Sequence, residues 1–92
     1  MLGGLSILGE RYSMDIILMV YRNPGIKKTD IIRSSPTGER TRAERTNALV
    51  EAGLLKIGSG SHWSGQYFTL TEKGERVAEL LEKLEAEMEE EA

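Results

Sequence analysis

Basic side chains are the densest group of binding residues in this 92-residue sequence, and they cluster in residues 22–45. That stretch holds seven Arg and Lys against three acids, a balance of +4, whereas residues 72–92 hold nine Glu against three basic residues, a balance of −6. A local basic face suits contact with a polyanion even though the net charge is −3. On charge alone, solvated helix faces are the commoner explanation of such runs.

Groups suited to catalysis are scarce. The absence of Cys excludes disulfides, thiolate metal ligands and Cys nucleophiles, and the single histidine, His62, excludes a multi-histidine metal site. The glycines at 58 and 60 are followed by neither a Lys nor a helix pattern, unlike a phosphate-binding loop. Asp15 is isolated on a predicted helix. We therefore expect no enzyme activity, no cofactor and no metal.

Length and composition predict one globular domain over residues 1–92. Hydrophobic residues make up 39% and charged residues 29% of the chain, which is typical of globular proteins. The longest apolar run, residues 16–21, is far shorter than the roughly 20 residues of a membrane span. The amino end shows no signal-peptide pattern. We expect a cytoplasmic protein without a membrane partner.

Hydrophobic spacing and turn residues predict a mostly helical order of elements. The predicted elements are helices at 12–22, 28–34 and 39–52, strands at 55–57 and 66–70 around a Gly- and Ser-rich tip, and a last helix from 72 to about 90. Ser13 and Thr71 are predicted N-terminal caps, Gly53 is a predicted C-terminal cap, and residues 23–25 end the first helix. Residues 1–10 fit either a frayed arm or a short apolar turn.

Three short stretches resemble the winged helix-turn-helix regulators of the HxlR, MarR and PadR types. Leu-Val-Glu-Ala-Gly-Leu-Leu at 49–55 is similar to the end of their recognition helix, and Tyr-Phe-Thr-Leu-Thr-Glu-Lys-Gly at 67–74 is similar to the segment after their wing. Leu-Gly-Glu-Arg-Tyr at 8–12 resembles the start of the first helix in HxlR-type members. The resemblance implies an α+β, mostly helical fold, a winged helix-turn-helix with a β-hairpin wing and a long C-terminal helix.

The resemblance also implies a DNA-binding transcriptional regulator whose recognition helix, about residues 37–52, enters the major groove of double-stranded DNA. The expected inward residues of that helix are Ala43, Thr46, Leu49 and Val50, and the expected outward residues are Thr41, Glu44, Arg45 and Ala48, with Arg40 at the flank. Because the inward residues of the first half are small or polar, we expect that half not to be deeply buried. The candidate DNA-binding residues are Lys27, Lys28, Thr37, Arg40, Thr41, Glu44, Arg45, His62 and Trp63.

These residue types suit distinct contacts with DNA. Arginine can donate two hydrogen bonds to guanine, and glutamate can accept one from cytosine. Lys27 and Lys28 flank the helix that would cross the DNA backbone, where they would meet phosphates. Trp63, at the wing tip beside His62, either stacks on a sugar or folds back onto the sheet. The wing lacks the arginine usual in the family, and Thr46 stands where the family usually has an aliphatic residue.

The last helix carries an apolar seam that could join two copies of the chain. The candidate dimer-interface residues are Val77, Leu80, Leu81, Leu84 and Met88. We expect residues 72–90 to pair with a second copy, antiparallel because the many glutamates would repel in a parallel pair. In the alternative, the whole seam folds back onto its own domain.

A second function remains open on the same fold, a protein–protein interaction module in a larger assembly. The basic stretch 22–45 favours DNA. The missing wing arginine and the acidic last helix favour the interaction module.

Overall fold

A computed structural model describes residues 5–59 and 66–90 of the chain. Its elements are α1 (Leu5–Leu8), α2 (Ser13–Arg22), β1 (Ile26–Lys27), α3 (Lys28–Ile32), α4 (Glu39–Glu51), β2 (Leu55–Ser59), β3 (Gln66–Leu70) and α5 (Glu72–Glu89). This order confirms the predicted succession of helices and strands, and it adds the one-turn helix α1 and the two-residue strand β1.

The three strands form one small antiparallel sheet in the order β1-β3-β2. The hairpin of β2 and β3 pairs Leu55 with Leu70, and the two-residue strand β1 pairs Ile26 with Phe68 on the other side of β3. Phe68, in the central strand, is fully buried. The sheet therefore joins the segment before α3 to the hairpin that follows α4.

The core lies between α2, the sheet and the helices α3, α4 and α5. Ile16, Ile17 and Val20 of α2 are buried at the helical spacing that the sequence predicted, and Ile31 of α3 and Leu49 of α4 meet them. Because α3 and α4 each contribute a fully buried side chain, their positions are tied to the same core.

Two of the predicted helix caps are confirmed. Gly53 has φ +81°, its N–H donates to Val50 (3.0 Å), and the next N–H, of Leu54, donates to Leu49 (3.0 Å), so α4 ends in a Schellman motif. Thr71 caps α5, because its Oγ1 accepts from the N–H of Gly74 at 2.9 Å.

The predicted cap at Ser13 is wrong. Tyr12 occupies the N-cap position of α2 in a left-handed conformation, with φ 70° and no capping side chain. Ser13 is the first residue of the helix and is fully buried, and its Oγ has no hydrogen-bond partner among the described residues. A turn in which the N–H of Ser13 donates to Glu10 (3.1 Å) places Ser13 inside the helix.

The long helix α5 packs against α2, and its buried residues end at Leu81. Ala78 and Leu81 are buried, whereas Leu80, Leu84 and Met88 are more than half exposed. No helix in the described part of the chain is long and apolar enough to cross a membrane.

An ion-pair cluster fixes the far end of α2 to α5. Arg22 donates from Nε to Glu82 (3.0 Å) and from Nη2 to Glu85 (2.7 Å). These hydrogen bonds raise the pKa of Arg22, so the guanidinium stays charged.

Candidate nucleic-acid interface

Two helices joined by a six-residue turn form the candidate interface. α3 ends at Ile32, and α4 begins after Gly38, whose φ of +77° makes it a left-handed N-cap. Thr46 and Leu49 of α4 are fully buried, and the Oγ1 of Thr46 donates to the carbonyl of Arg42 at 2.8 Å. The polar Thr46 thus enters the core with its hydroxyl satisfied within its own helix.

Arg42 anchors the first half of α4. It is only 3% exposed, and its guanidinium donates to the carbonyls of Ile32 (Nε 3.0 Å, Nη2 2.6 Å) and Thr37 (Nη1 2.6 Å), and also to that of Ser35. The prediction that this half is not deeply buried is therefore wrong. A long side chain with five donors fills the space that small inward residues would have left open.

The exposed face of α4 is rotated from the predicted one. Arg40, Glu44, Asn47 and Glu51 are exposed, whereas Thr41 and Ala48 are half-buried at one edge. Arg40 and Glu44 form an i,i+4 pair at 3.7 Å. Because Arg42 rather than Ala43 points inward, the outward direction runs through this exposed set.

Arg45 does not lie on the outward face where it was predicted. Its side chain is 18% exposed, its Nε donates to the carbonyl of Arg11 at 3.0 Å, and its Nη2 lies 3.4 Å from Glu10. These contacts turn it towards the connection between α1 and α2. Contact of Arg45 with a base stays a prediction.

Asn47 is a candidate that the sequence analysis missed. It lies three residues after Glu44 on the same exposed face, and its Oδ1 accepts from the Nζ of Lys28 at 3.1 Å. Asparagine can pair with adenine through two hydrogen bonds. Helical spacing counted from an inward Arg42 would have found it.

The exposed basic surface is smaller than the sequence suggests. Five of the seven basic residues in 22–45 make contacts given above within their own chain: Arg22, Lys28, Arg40, Arg42 and Arg45. Lys27, Arg33 and Arg40 are exposed, and Lys28 is half-buried beside Asn47. Thr37 is exposed in the turn before α4. His62 and Trp63 lie outside the described residues.

Comparison with solved structures identifies the architecture. A possible HxlR family transcriptional factor from Thermoplasma volcanium matches over 91% of this chain and 76% of its own, with a TM-score of 0.78 and 29% identity. Streptococcus pneumoniae FabT, solved in complex with DNA, matches over 92% of this chain with a TM-score of 0.74 and 16% identity. The chain has a winged helix-turn-helix fold. In it, α3 and α4 form the helix-turn-helix and the β2–β3 hairpin is the wing.

The winged-helix domain spans only part of some of these proteins. It covers 64% of the FabT chain and 55% of a MarR protein from Peptoclostridium difficile, which has a TM-score of 0.75 and 19% identity. No protein-family profile matches the sequence. No curated protein matches it either.

Proposed function

We propose that this winged-helix protein is a DNA-binding transcriptional regulator whose helix α4 enters the major groove. The observation that carries the proposal is the division of α4 into a face buried through Arg42, Thr46 and Leu49 and an opposite polar face that is open to a partner. The likeness to FabT, a protein solved with DNA, supports it. Such a function requires no enzyme activity, and it is exercised inside the cell, where the DNA lies.

The placement of each side chain gives the candidate residues different roles. Arg40, Glu44 and Asn47 are suited to read base edges, since they share the exposed face of α4. Lys27 and Thr37 are suited to phosphate contacts beside it. Lys28 donates a hydrogen bond to Asn47. A contact of either side chain with DNA would replace that hydrogen bond or be made in addition to it. Thr41 stands at the edge of the face. His62 and Trp63 of the wing would approach the flanking DNA.

A binding experiment with selected DNA tests the proposal. Fragments bound from a genomic pool are identified, and their affinity is measured by fluorescence anisotropy at low and moderate salt. We expect specific binding that weakens steeply with salt, because phosphate contacts release counterions. Lys83→Ala, which removes an exposed basic residue of α5, is the matched control for charge. Failure to bind any fragment at low salt would contradict the proposal.

One observation favours the alternative of a protein-interaction module. Five of the seven basic residues in 22–45 are engaged within the chain, Lys28 with Asn47 and Arg40 with the acidic Glu44 among them. The exposed basic surface is therefore modest. Absence of DNA binding, together with a stable complex with another protein, would select this function.

We also propose that the protein forms a homodimer through α5. Leu80, Leu84 and Met88 lie at i, i+4 and i+8 and are 64%, 54% and 78% exposed. Met14 of α2 lines a surface cavity together with Leu84 and Met88. A second copy would remove this apolar stripe from water. The other two predicted interface residues differ, since Leu81 is buried in its own core and Val77 packs against it.

The two-fold symmetry of such a dimer would suit a regulator. It would present two copies of α4 to successive major-groove segments of a pseudo-palindromic site. The glutamates along α5 favour an antiparallel pair, because a parallel pair would place the same glutamates of the two copies side by side.

A further inference from the structure

The burial of Arg42 is unusual for a charged residue. At 3% exposure its guanidinium has lost nearly all contact with water, yet no carboxylate among residues 5–59 and 66–90 forms an ion pair with it. All of its described hydrogen-bond acceptors are backbone carbonyls, those of Ile32, Ser35 and Thr37. A buried charge persists only where such partners compensate the loss of water.

The three carbonyls belong to the end of α3 and to the turn that leads into α4. The last carbonyls of a helix receive no hydrogen bond from an N–H of the same helix, so they need a donor from elsewhere. A planar guanidinium can serve several of them at once because its N–H groups point in fixed, diverging directions. Arg42 thus joins the end of one helix, the turn and the first turns of the next helix in one set of hydrogen bonds.

Tyr12 closes the other side of this arrangement. The Cζ of Arg42 lies 5.3 Å from the centroid of the Tyr12 ring, within the range of a cation–π contact. The same ring lies against Gly38, where a Cβ would come within 2.8 Å of the Tyr12 Cζ. Gly38 therefore leaves the space that the ring needs, at the point where α4 begins.

A second arginine ties α4 to the same segment one turn later. Arg45 donates to the carbonyl of Arg11 and approaches Glu10. Residues 10–12 thus contact α4 at two successive turns. Because these residues connect α1 to α2, the orientation of α4 depends on a segment about thirty residues before it in the chain.

We propose that Arg42 and Tyr12 are positioning residues that set the orientation of α4 against α3 and the α1–α2 connection. The guanidinium of Arg42 holds the turn at residues 33–38 by donating to the carbonyls of that turn. Tyr12 holds the guanidinium in place and shields it from water. The effect of this role on DNA binding rests on the proposed function, since neither residue belongs to the exposed face of α4. The conformation of the turn itself depends on Arg42 whether or not DNA binds.

The experiment compares three variants of the full chain. Arg42→Leu removes the donors but keeps an apolar body, Arg42→Lys keeps the charge but not the fork of donors, and Leu49→Val perturbs the same buried face without touching the turn. Helical content is checked by circular dichroism. The two readouts are amide hydrogen exchange in residues 33–41 and affinity for the selected DNA.

At equal global stability, we expect both Arg42 variants to have amide exchange rates in residues 33–41 about tenfold or more above those of Leu49→Val. We expect their DNA affinity to fall by about tenfold more than that of Leu49→Val. Exchange in this segment at the level of Leu49→Val would overturn the proposal. If the wild type binds no DNA, the proposed function fails, and the exchange data still decide the role of Arg42.

Substitutions at Tyr12 keep the test decisive if the Arg42 variants do not fold. Tyr12→Phe retains the ring and should match the wild type in both readouts. Tyr12→Leu removes the ring that faces the guanidinium and should raise exchange in residues 33–41 several-fold. Equal exchange in the two Tyr12 variants would show that the ring does not position Arg42, and it would overturn that part of the proposal.

Discussion

Gly74, in the first turn of α5, lies so close to the carbonyl oxygen of Leu54 that a Cβ at position 74 would overlap it. The contact is backed by Thr71, whose N–H donates to the same carbonyl at 3.1 Å and whose hydroxyl donates to the carbonyl of Gly53 at 2.6 Å. The start of α5 is thus docked on the corner between α4 and β2. The wing and the last helix share this corner.

Gly74→Ala should destabilise the domain by about 1–3 kcal/mol, as overpacking does. Helix propensity alone would predict the opposite sign, since Ala is about 1 kcal/mol better than Gly within a helix. The overlap wins because the neighbouring atom is backbone and cannot rotate away. Chemical denaturation measures the change. Ala86→Gly, on the exposed part of α5, supplies the propensity effect alone, and a stabilised Gly74→Ala protein would contradict the close approach.

Thr71→Val should cost about 1–2 kcal/mol of unfolding free energy, because the capping hydroxyl is lost. The hydroxyl no longer accepts from the N–H of Gly74 or donates to the carbonyl of Gly53, while the shape of the side chain is kept. Thr71→Ser retains the hydroxyl and should stay near the wild type. Thermal and urea unfolding monitored by circular dichroism distinguish the two variants, and equal stability would argue against the cap.

Arg40→Ala should mainly weaken DNA binding, whereas Arg45→Ala should mainly lower the stability of the fold. Arg40 is almost fully exposed, so its loss should change stability by less than about 0.5 kcal/mol. Its loss should weaken specific DNA binding by about 1–3 kcal/mol if it reads a base. Arg45 donates to the Arg11 carbonyl, so Arg45→Ala should destabilise the fold by about 1.5–3 kcal/mol. Denaturation and anisotropy are measured on both variants. The reverse pattern would assign base readout to Arg45 and a structural role to Arg40.

Lys27→Ala should weaken binding to all DNA sequences alike. Lys27 is exposed at the N-cap of α3 and does not belong to α4, so we assign it a phosphate contact, which carries no sequence information. The slope of log affinity against log salt should become shallower by about one. A salt titration on specific and unrelated DNA gives both quantities. A loss confined to the selected site would instead assign Lys27 to base readout.

Leu80→Glu with Leu84→Glu should convert a dimer into a monomer of normal helical content. Both side chains are more than half exposed, so the charges fall on the proposed interface and not in the core. Light scattering at tens of micromolar measures the mass. Leu81→Ala is the contrasting variant, because it should cost about 2–4 kcal/mol of stability by opening a cavity. A wild-type protein that is already monomeric at that concentration would refute the dimer.

Much of the fold could be predicted from the sequence because local signals agreed with one another. The apolar spacing in α2 and α5, the glycine that ends α4 and the threonine that begins α5 act within a few residues of their own positions. The stop at residues 23–25 and the alternation in β3 are equally local. Such patterns determine where an element begins and ends and which of its faces is apolar.

The candidate site was only partly predictable, since several of its residues depend on distant segments. Lys27, Thr37, Arg40 and Glu44 are exposed as expected. Helical spacing adds Asn47 to them only once Arg42 is known to point inward. Arg45 could not be placed correctly, because its partners at Glu10 and Arg11 are more than thirty residues away in the chain.

The sequence by itself determined the succession of elements, the caps at Gly53 and Thr71 and the apolar seam of α5, since these follow from propensity and spacing along the chain. Only the tertiary structure decided which way α4 is rotated, because that depends on where an arginine finds acceptors. Arg42 reads as a solvated basic residue in the sequence, yet the turn after α3 presents three carbonyls that need donors. Folding brings those carbonyls around position 42, so the charge is buried and the outward face shifts to Arg40, Glu44 and Asn47.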